Sequence, residues 1–179
     1  MAVLVATRGR RVPTLARRLA HRARRLMAEL GLQTAELSLV LVSDTVMHEL
    51  NRTWRGKDRP TDVLAFAQWD DVGGAGAARG ASPGARASES RSERRRRPPG
   101  RSRHARSDSP HEALLGDVVI SVDTAKRQAQ ELGHSLDTES ERLLVHGLLH
   151  LLGYDHERSP AEARRMQRKE RALLRALDA

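Results

Sequence analysis

Three histidines stand at offsets of four and six in HGLLHLLGYDH, residues 146–156, inside an otherwise apolar run. Imidazole is a poor packing group there and a good metal ligand. On a helix, positions four apart share one face, so His146 and His150 would project side by side about one turn apart. Gly153 follows three residues later, where a helix commonly ends in the left-handed conformation. The chain can then reverse and bring His156 back to the pair. Three imidazoles with an open fourth position is the pattern of a catalytic rather than a structural zinc. The spacing matches the long zinc-protease motif H-E-x-x-H-x-x-G-x-x-H, but Gly147 stands where the protease carries its glutamate base. Peptide hydrolysis is therefore disfavoured. His21, His48, His104, His111 and His134 lack this context and read as ordinary core or surface histidines.

The chain has 179 residues, no cysteine and a formal net charge of +9. That length suits one domain with a real core. Without thiols, any metal must be held by nitrogen and oxygen ligands. The N-terminal apolar run is too short for a signal segment and no stretch is long enough to span a bilayer, so a soluble cytoplasmic protein is expected.

The charge is uneven. Residues 72–111 hold ten arginines against Glu89, Glu93 and Asp108, a net of +7, and contain no Leu, Ile, Phe or Met. Such a segment cannot bury enough apolar surface to offset its ordering entropy, and it is expected to be a disordered insertion within a single domain spanning 1–179. It is either a contact for polyanions such as RNA or a tolerated low-complexity loop.

Outside that segment, strands are expected at VLVA near the start, at LSLVLV (37–42, apolar enough to be covered on both faces), at VLAF (63–66) and at DVVISV (117–122). Five helices alternate with them. Thr14, Asp44, Asp123, Asp137 and Ser159 are the expected N-caps, the last within SPAE, which places Pro at the first helical position. Leu15, Leu19, Ala23, Leu26 and Leu30 line the first helix, with Gly31 as its stop. Met47, Leu50 and Trp54 form the inward stripe of the second, and Met166, Leu173, Leu174 and Leu177 that of the last. Four strands with five helices predict an α/β or α+β layer fold whose sheet packs against helices, the metal site lying at a helix and its following turn.

HGLLHLLGYDH, together with ELNRTWRGKDRPTDVLAF (49–66) and LLGDVVIS (114–121), resembles the YbeY family of bacterial metal-dependent endoribonucleases. The resemblance extends over nearly all of the chain outside 72–111. It implies an α+β fold with a mixed four-stranded sheet. It also implies that His146, His150 and His156 bind the metal, usually zinc, with nickel or another divalent ion as alternatives. The arginine of the family's RGKD block falls on Arg55 and is a functional residue there. The activity implied is cleavage of single-stranded RNA in maturing the 3′ end of small-subunit (16S) rRNA and in ribosome quality control. Implied partners are rRNA, the small ribosomal subunit and assembly factors such as the GTPase Era, with no DNA.

On this reading Arg55 grips the scissile phosphate through two N–H groups, a task for which guanidinium suits better than ammonium. Its bland alternative is a surface arginine paired with Asp58. Lys57 and Arg59 could contact phosphates or be solvated. Asp62 and Asp117 could orient a histidine or satisfy turn amides, and Asp155 has no assigned role. With Trp54, Phe66, Trp69 and Tyr154 as the only aromatics, phosphate contacts must carry most of any RNA binding. Two other classes stay open: a zinc hydrolase of another substrate, and a non-enzymatic ribosome-assembly factor with a metal-stabilised fold, which a fourth ligand from Asp155 or Glu157 would favour.

Overall fold

In a computed structural model, residues 2–68 and 113–178 are described. The element order is β1 (Ala2–Arg8), α1 (Pro13–Glu29), β2 (Ala35–Val42), α2 (Asp44–Arg55), β3 (Val63–Ala67), β4 (Ala113–Ser121), α3 (Val122–Leu132), α4 (Leu136–Leu151) and α5 (Pro160–Asp178). The fold is α+β, with four strands and five helices among the described residues, as expected. The strands lie in the order β1-β2-β4-β3. The first two pairings along that order are parallel, β1 with β2 and β2 with β4, and only the edge strand β3 runs antiparallel to its neighbour, β4. The expected insertion at 72–111, with His104, His111 and Trp69, lies outside the described residues.

Strand alternation divides the core. Leu37, Leu39 and Leu41 of β2 point to one side with Val118 and Ile120 of β4, and meet Leu15, Leu19, Leu144 and Leu148 of α1 and α4. On the other side Val42, Leu64 and Val119 pack against Met47 of α2 in a smaller cluster. The expectation that 37–42 is covered on both faces is corrected: Ser38 and Val40 are only half-buried, and Leu4 of β1 is 58 % exposed, because α2 alone covers that face and reaches only part of it. No described helix is long and apolar enough to cross a membrane.

Four of the five expected caps shift. Ser43, Ser121 and Ser135 accept from the backbone N–H groups of Val46, Thr124 and Thr138, so serine is the cap where Asp44, Asp123 and Asp137 were expected. Each aspartate falls instead in the first turn, where its charge complements the helix dipole. α1 begins on Pro13 with Val12 before it, not on Thr14. Ser159 caps α5 as expected, accepting from Glu162 N at 3.2 Å.

The far end of α5 is held from α1. Arg22 Nη1 donates to Leu177 O at 2.5 Å, and Arg25 donates to Leu177 O and Ala176 O at 3.0 and 2.9 Å. These are terminal carbonyls that a helix leaves without internal partners.

β3 and β4 pair as a hairpin from Val63↔Ile120 to Ala67↔Gly116, and Gln68 N donates to Leu115 O just beyond. The register is thus set by the strands themselves. Replacing residues 72–111 by a short Gly/Ser turn is expected to leave cooperative unfolding intact and to shift stability by no more than about 1–2 kcal/mol, since loop closure costs only about 0.6 kcal/mol per doubling of length. Thermal melts of the two proteins check this. Loss of the cooperative transition would overturn the insertion reading.

Candidate metal centre

α4 carries the first two histidines to its C-terminal end. There Gly153 takes a φ of 82°. Gly153 N donates to His150 O and Tyr154 N to Leu149 O, both at 3.0 Å. This left-handed stop turns the chain back and delivers the third histidine, as the spacing predicted. The rings of His146, His150 and His156 lie with centroids 4.6, 5.1 and 5.2 Å apart. One nitrogen from each falls within 4.8 Å of the others. His146 and His150 are half-buried, while His156 is exposed.

Gly147 has a steric reason to be glycine. A Cβ there would lie 2.8 Å from Val118 Cγ1 and 3.2 Å from Val63 Cγ2. α4 therefore sits on the sheet through the position where the protease motif carries glutamate, and that position faces packed valines rather than the histidines.

The chemistry of the cluster is set by Glu170 of α5, which the sequence reading did not single out. His146 Nδ1 donates to Glu170 Oε1 at 2.6 Å. A proton held at Nδ1 leaves Nε2 as a lone pair, and that Nε2 lies 3.0 Å from His150 Nε2. Two imidazoles bound tetrahedrally at about 2.0–2.1 Å would place their nitrogens about 3.3 Å apart, so the pair is close to ligand spacing. The bond from His146 holds Glu170 below the usual carboxylate range despite its burial. Burial pushes His150 below the ordinary imidazole value, and the neighbouring His146 and His156 push it further. A neutral ring is what ligation needs. Three imidazoles backed by a carboxylate fit a borderline divalent ion such as zinc or nickel.

A signal for Glu170 existed in the sequence. It lies four residues after Met166 and three before Leu173, on the stripe that ends at Leu177, so a carboxylate occupies a core-facing place.

The other residues weighed from sequence lie elsewhere. Asp62 accepts from Val63 N, Thr61 Oγ1 and Gln128 Nε2. Asp117 accepts from Gln68 Nε2, and Asp155 accepts from Glu157 N and pairs with Arg158. None joins the histidines, and among the described residues the group has no fourth His, Cys, Asp or Glu member. His134 is bonded to Glu139, and His48 to Asp58.

Asp58 is thus taken by His48, and the Arg55–Asp58 surface pair weighed as the bland alternative is not formed. Arg55 ends α2, with its exposed side chain making no hydrogen bond or ion pair among the described residues. β3 lies between the two helices: Gly147 of α4 abuts Val63 on one face, and Trp54 of α2 abuts Phe66 on the other. Trp54 itself is 67 % exposed and not part of an inward stripe. The buried polar place in α2 belongs to Asn51, whose Nδ2 donates to Arg59 O at 2.6 Å and pins the turn that follows.

Comparison with known proteins gives consistent matches. The family profile described as Endoribonuclease YbeY matches residues 8–178. A protein named Endoribonuclease YbeY from Anaeromyxobacter sp. (strain Fw109-5) is 44% identical over 176 residues, covering 98% of this chain and 72% of its own length. The protein of that name from Geobacter metallireducens is 38% identical over 179 residues, covering 99% and 97%. That from Aquifex aeolicus is 39% identical over 151 residues, covering 84% and 76%. A Thermotoga maritima protein solved in solution aligns with a TM-score of 0.54 at 22% identity, over 97% of this chain and 89% of that one, a likeness of fold alone.

Proposed function

The chain belongs to the family of the endoribonuclease YbeY, and on that premise we propose that it cleaves single-stranded RNA with one divalent metal ion held by His146, His150 and His156. The observation that carries the reading is the set of three imidazole nitrogens within 4.8 Å, one of them presented by a carboxylate-bound ring. When bound, such an ion lowers the pKa of a water and offsets charge on a phosphoryl oxygen.

The chain's own residues divide the remaining work. Glu170 keeps the proton on Nδ1 of His146 and so keeps Nε2 turned inward as a lone pair. Arg55, with no partner among the described residues to compete for it, holds the scissile phosphate and stabilises the charge that grows on it. Gly147 leaves no carboxylate at the place where a peptidase has its base, which favours a phosphodiester over a peptide. Zinc is the proposed metal, with nickel as the alternative. Following the family resemblance, the proposed substrate is rRNA at the 3′ end of the small subunit, in the cytoplasm. The small subunit and the GTPase Era are the proposed partners.

The test is cleavage of a single-stranded RNA before and after chelation, with metal content measured on each sample. Activity should vanish with the metal and return on adding zinc or nickel. Arg55→Lys should keep its metal yet lose about 10²-fold or more in cleavage rate, the size of loss seen when one donor to a developing oxyanion is removed. Full activity in that variant would sink the role of Arg55. A protein that melts earlier without metal but cleaves nothing with it would be a metal-stabilised assembly factor instead.

A further inference from the structure

Among the described residues, Trp54 is the one aromatic side chain that is largely open to solvent, at 67 %. Its spacing from Met47 and Leu50 is helical, yet it is not buried with Met47. Phe66 of β3 supports it in an edge contact, with centroids 5.9 Å apart and planes at 65°. The indole is thus steadied from one side and bare on the rest.

The residues that follow it are rich in cations. Arg55, Lys57 and Arg59 are exposed in the adjoining turn, and none has a side-chain hydrogen bond or ion pair among the described residues. Of the two acids before β3, Asp58 is occupied by His48 at 2.8 Å and Asp62 by Val63 N, Thr61 and Gln128. The turn is also fixed in place: Gly56 closes α2 with a φ of 64°, and Asn51 holds the carbonyl of Arg59. A bare indole alone would suit any apolar partner. One followed in the chain by three exposed cations suits a polyanion whose units carry a flat apolar face beside each phosphate, which describes an unpaired stretch of RNA.

We propose that Trp54 is a stacking platform for an unpaired nucleobase next to the phosphate held by Arg55. The assignment rests on the RNA reading above and adds a positioning residue to it. A base inside a duplex has both faces covered by its neighbours, so the platform selects unpaired substrate. It also predicts a mild preference for purines, whose larger ring systems stack better.

The test uses the full-length chain carrying Trp69→Phe, which leaves Trp54 as the one tryptophan of the two in the sequence. Stopped-flow mixing reads indole fluorescence before turnover. A single-stranded oligonucleotide should quench it saturably, while a duplex and an abasic ribose-phosphate chain of equal length should not. Trp54→Ala should weaken binding about 5- to 100-fold, the range for one stacked base. In cleavage it should raise KM more than it lowers kcat. Trp54→Phe should recover most of the affinity. Unchanged binding in Trp54→Ala, or equal quenching by the abasic chain, would overturn the platform and give the bare indole to a protein contact. Quenching without any cleavage by the metal-loaded protein would overturn the nuclease reading while leaving the platform standing.

Discussion

His150→Ala is expected to lose metal and RNA cleavage together while keeping its fold. His150 Nε2 is the closest partner of His146 Nε2, at 3.0 Å, and its removal leaves two imidazoles where three were gathered. Two neutral ligands, one of them on an exposed turn, hold a divalent ion weakly, so metal affinity should fall by well over the 10- to 100-fold typical of losing an outer hydrogen-bond partner. Glu170→Gln supplies that smaller step as an internal scale, because the amide can still accept from Nδ1 but brings no charge. The structural cost of His150→Ala should be small, since the ring is half-buried and its backbone bonds stay in place. Thermal melts of metal-free wild type and variant should therefore coincide within a few degrees. Equal cleavage by the two proteins would mean that the three histidines are not the active centre.

Gly147→Glu should have the second large effect, and it is one of folding. The substitution completes the zinc-protease motif on paper. In the structure the new Cβ would start 2.8 Å from Val118 Cγ1, on a fully buried β-branched side chain that has no free rotation to yield. Overpacking of this kind costs about 1–3 kcal/mol. The carboxylate beyond it would be driven between α4 and the sheet without a partner, a further cost of several kcal/mol. Together these rival the about 5–15 kcal/mol by which a domain of this size is stable. Gly147→Ala separates the two terms: a gain of about 1 kcal/mol in helix propensity offsets part of the overpacking, leaving a modest loss. Soluble yield, circular dichroism and melting temperature read both variants. A folded Gly147→Glu protein with peptidase activity would refute the steric account.

Local signals in the sequence carried most of the fold and the heart of the site. The histidine spacing, the glycine stop at 153 and the SPAE start of α5 depend on residues within a few positions of one another, and each appears where expected. So do the strand at 63–66 and the last turn of α1. The caps failed by one or two residues because serine and aspartate both accept backbone N–H groups. Which of the two does so depends on where the preceding strand lets the helix begin, and Ser121 ends β4 itself. Glu170 could not be assigned because its partner is 24 residues away on another helix, although its place on an apolar stripe marked it as unusual. Trp54 was misread for the opposite reason. Its spacing was helical, but the sheet face beneath α2 is covered too sparsely to bury the last turn.

The bonds from Arg22 and Arg25 to the final carbonyls of α5 bridge 151 to 155 positions along the chain. They close the molecule into a ring. Glu170, the carboxylate that fixes the proton of His146, lies on the helix clasped in this way. The ring of the first histidine is thus braced by a helix whose far end is held from the opposite end of the chain. A chain cut before Glu170 would carry every imidazole and still lack the group that sets their chemistry.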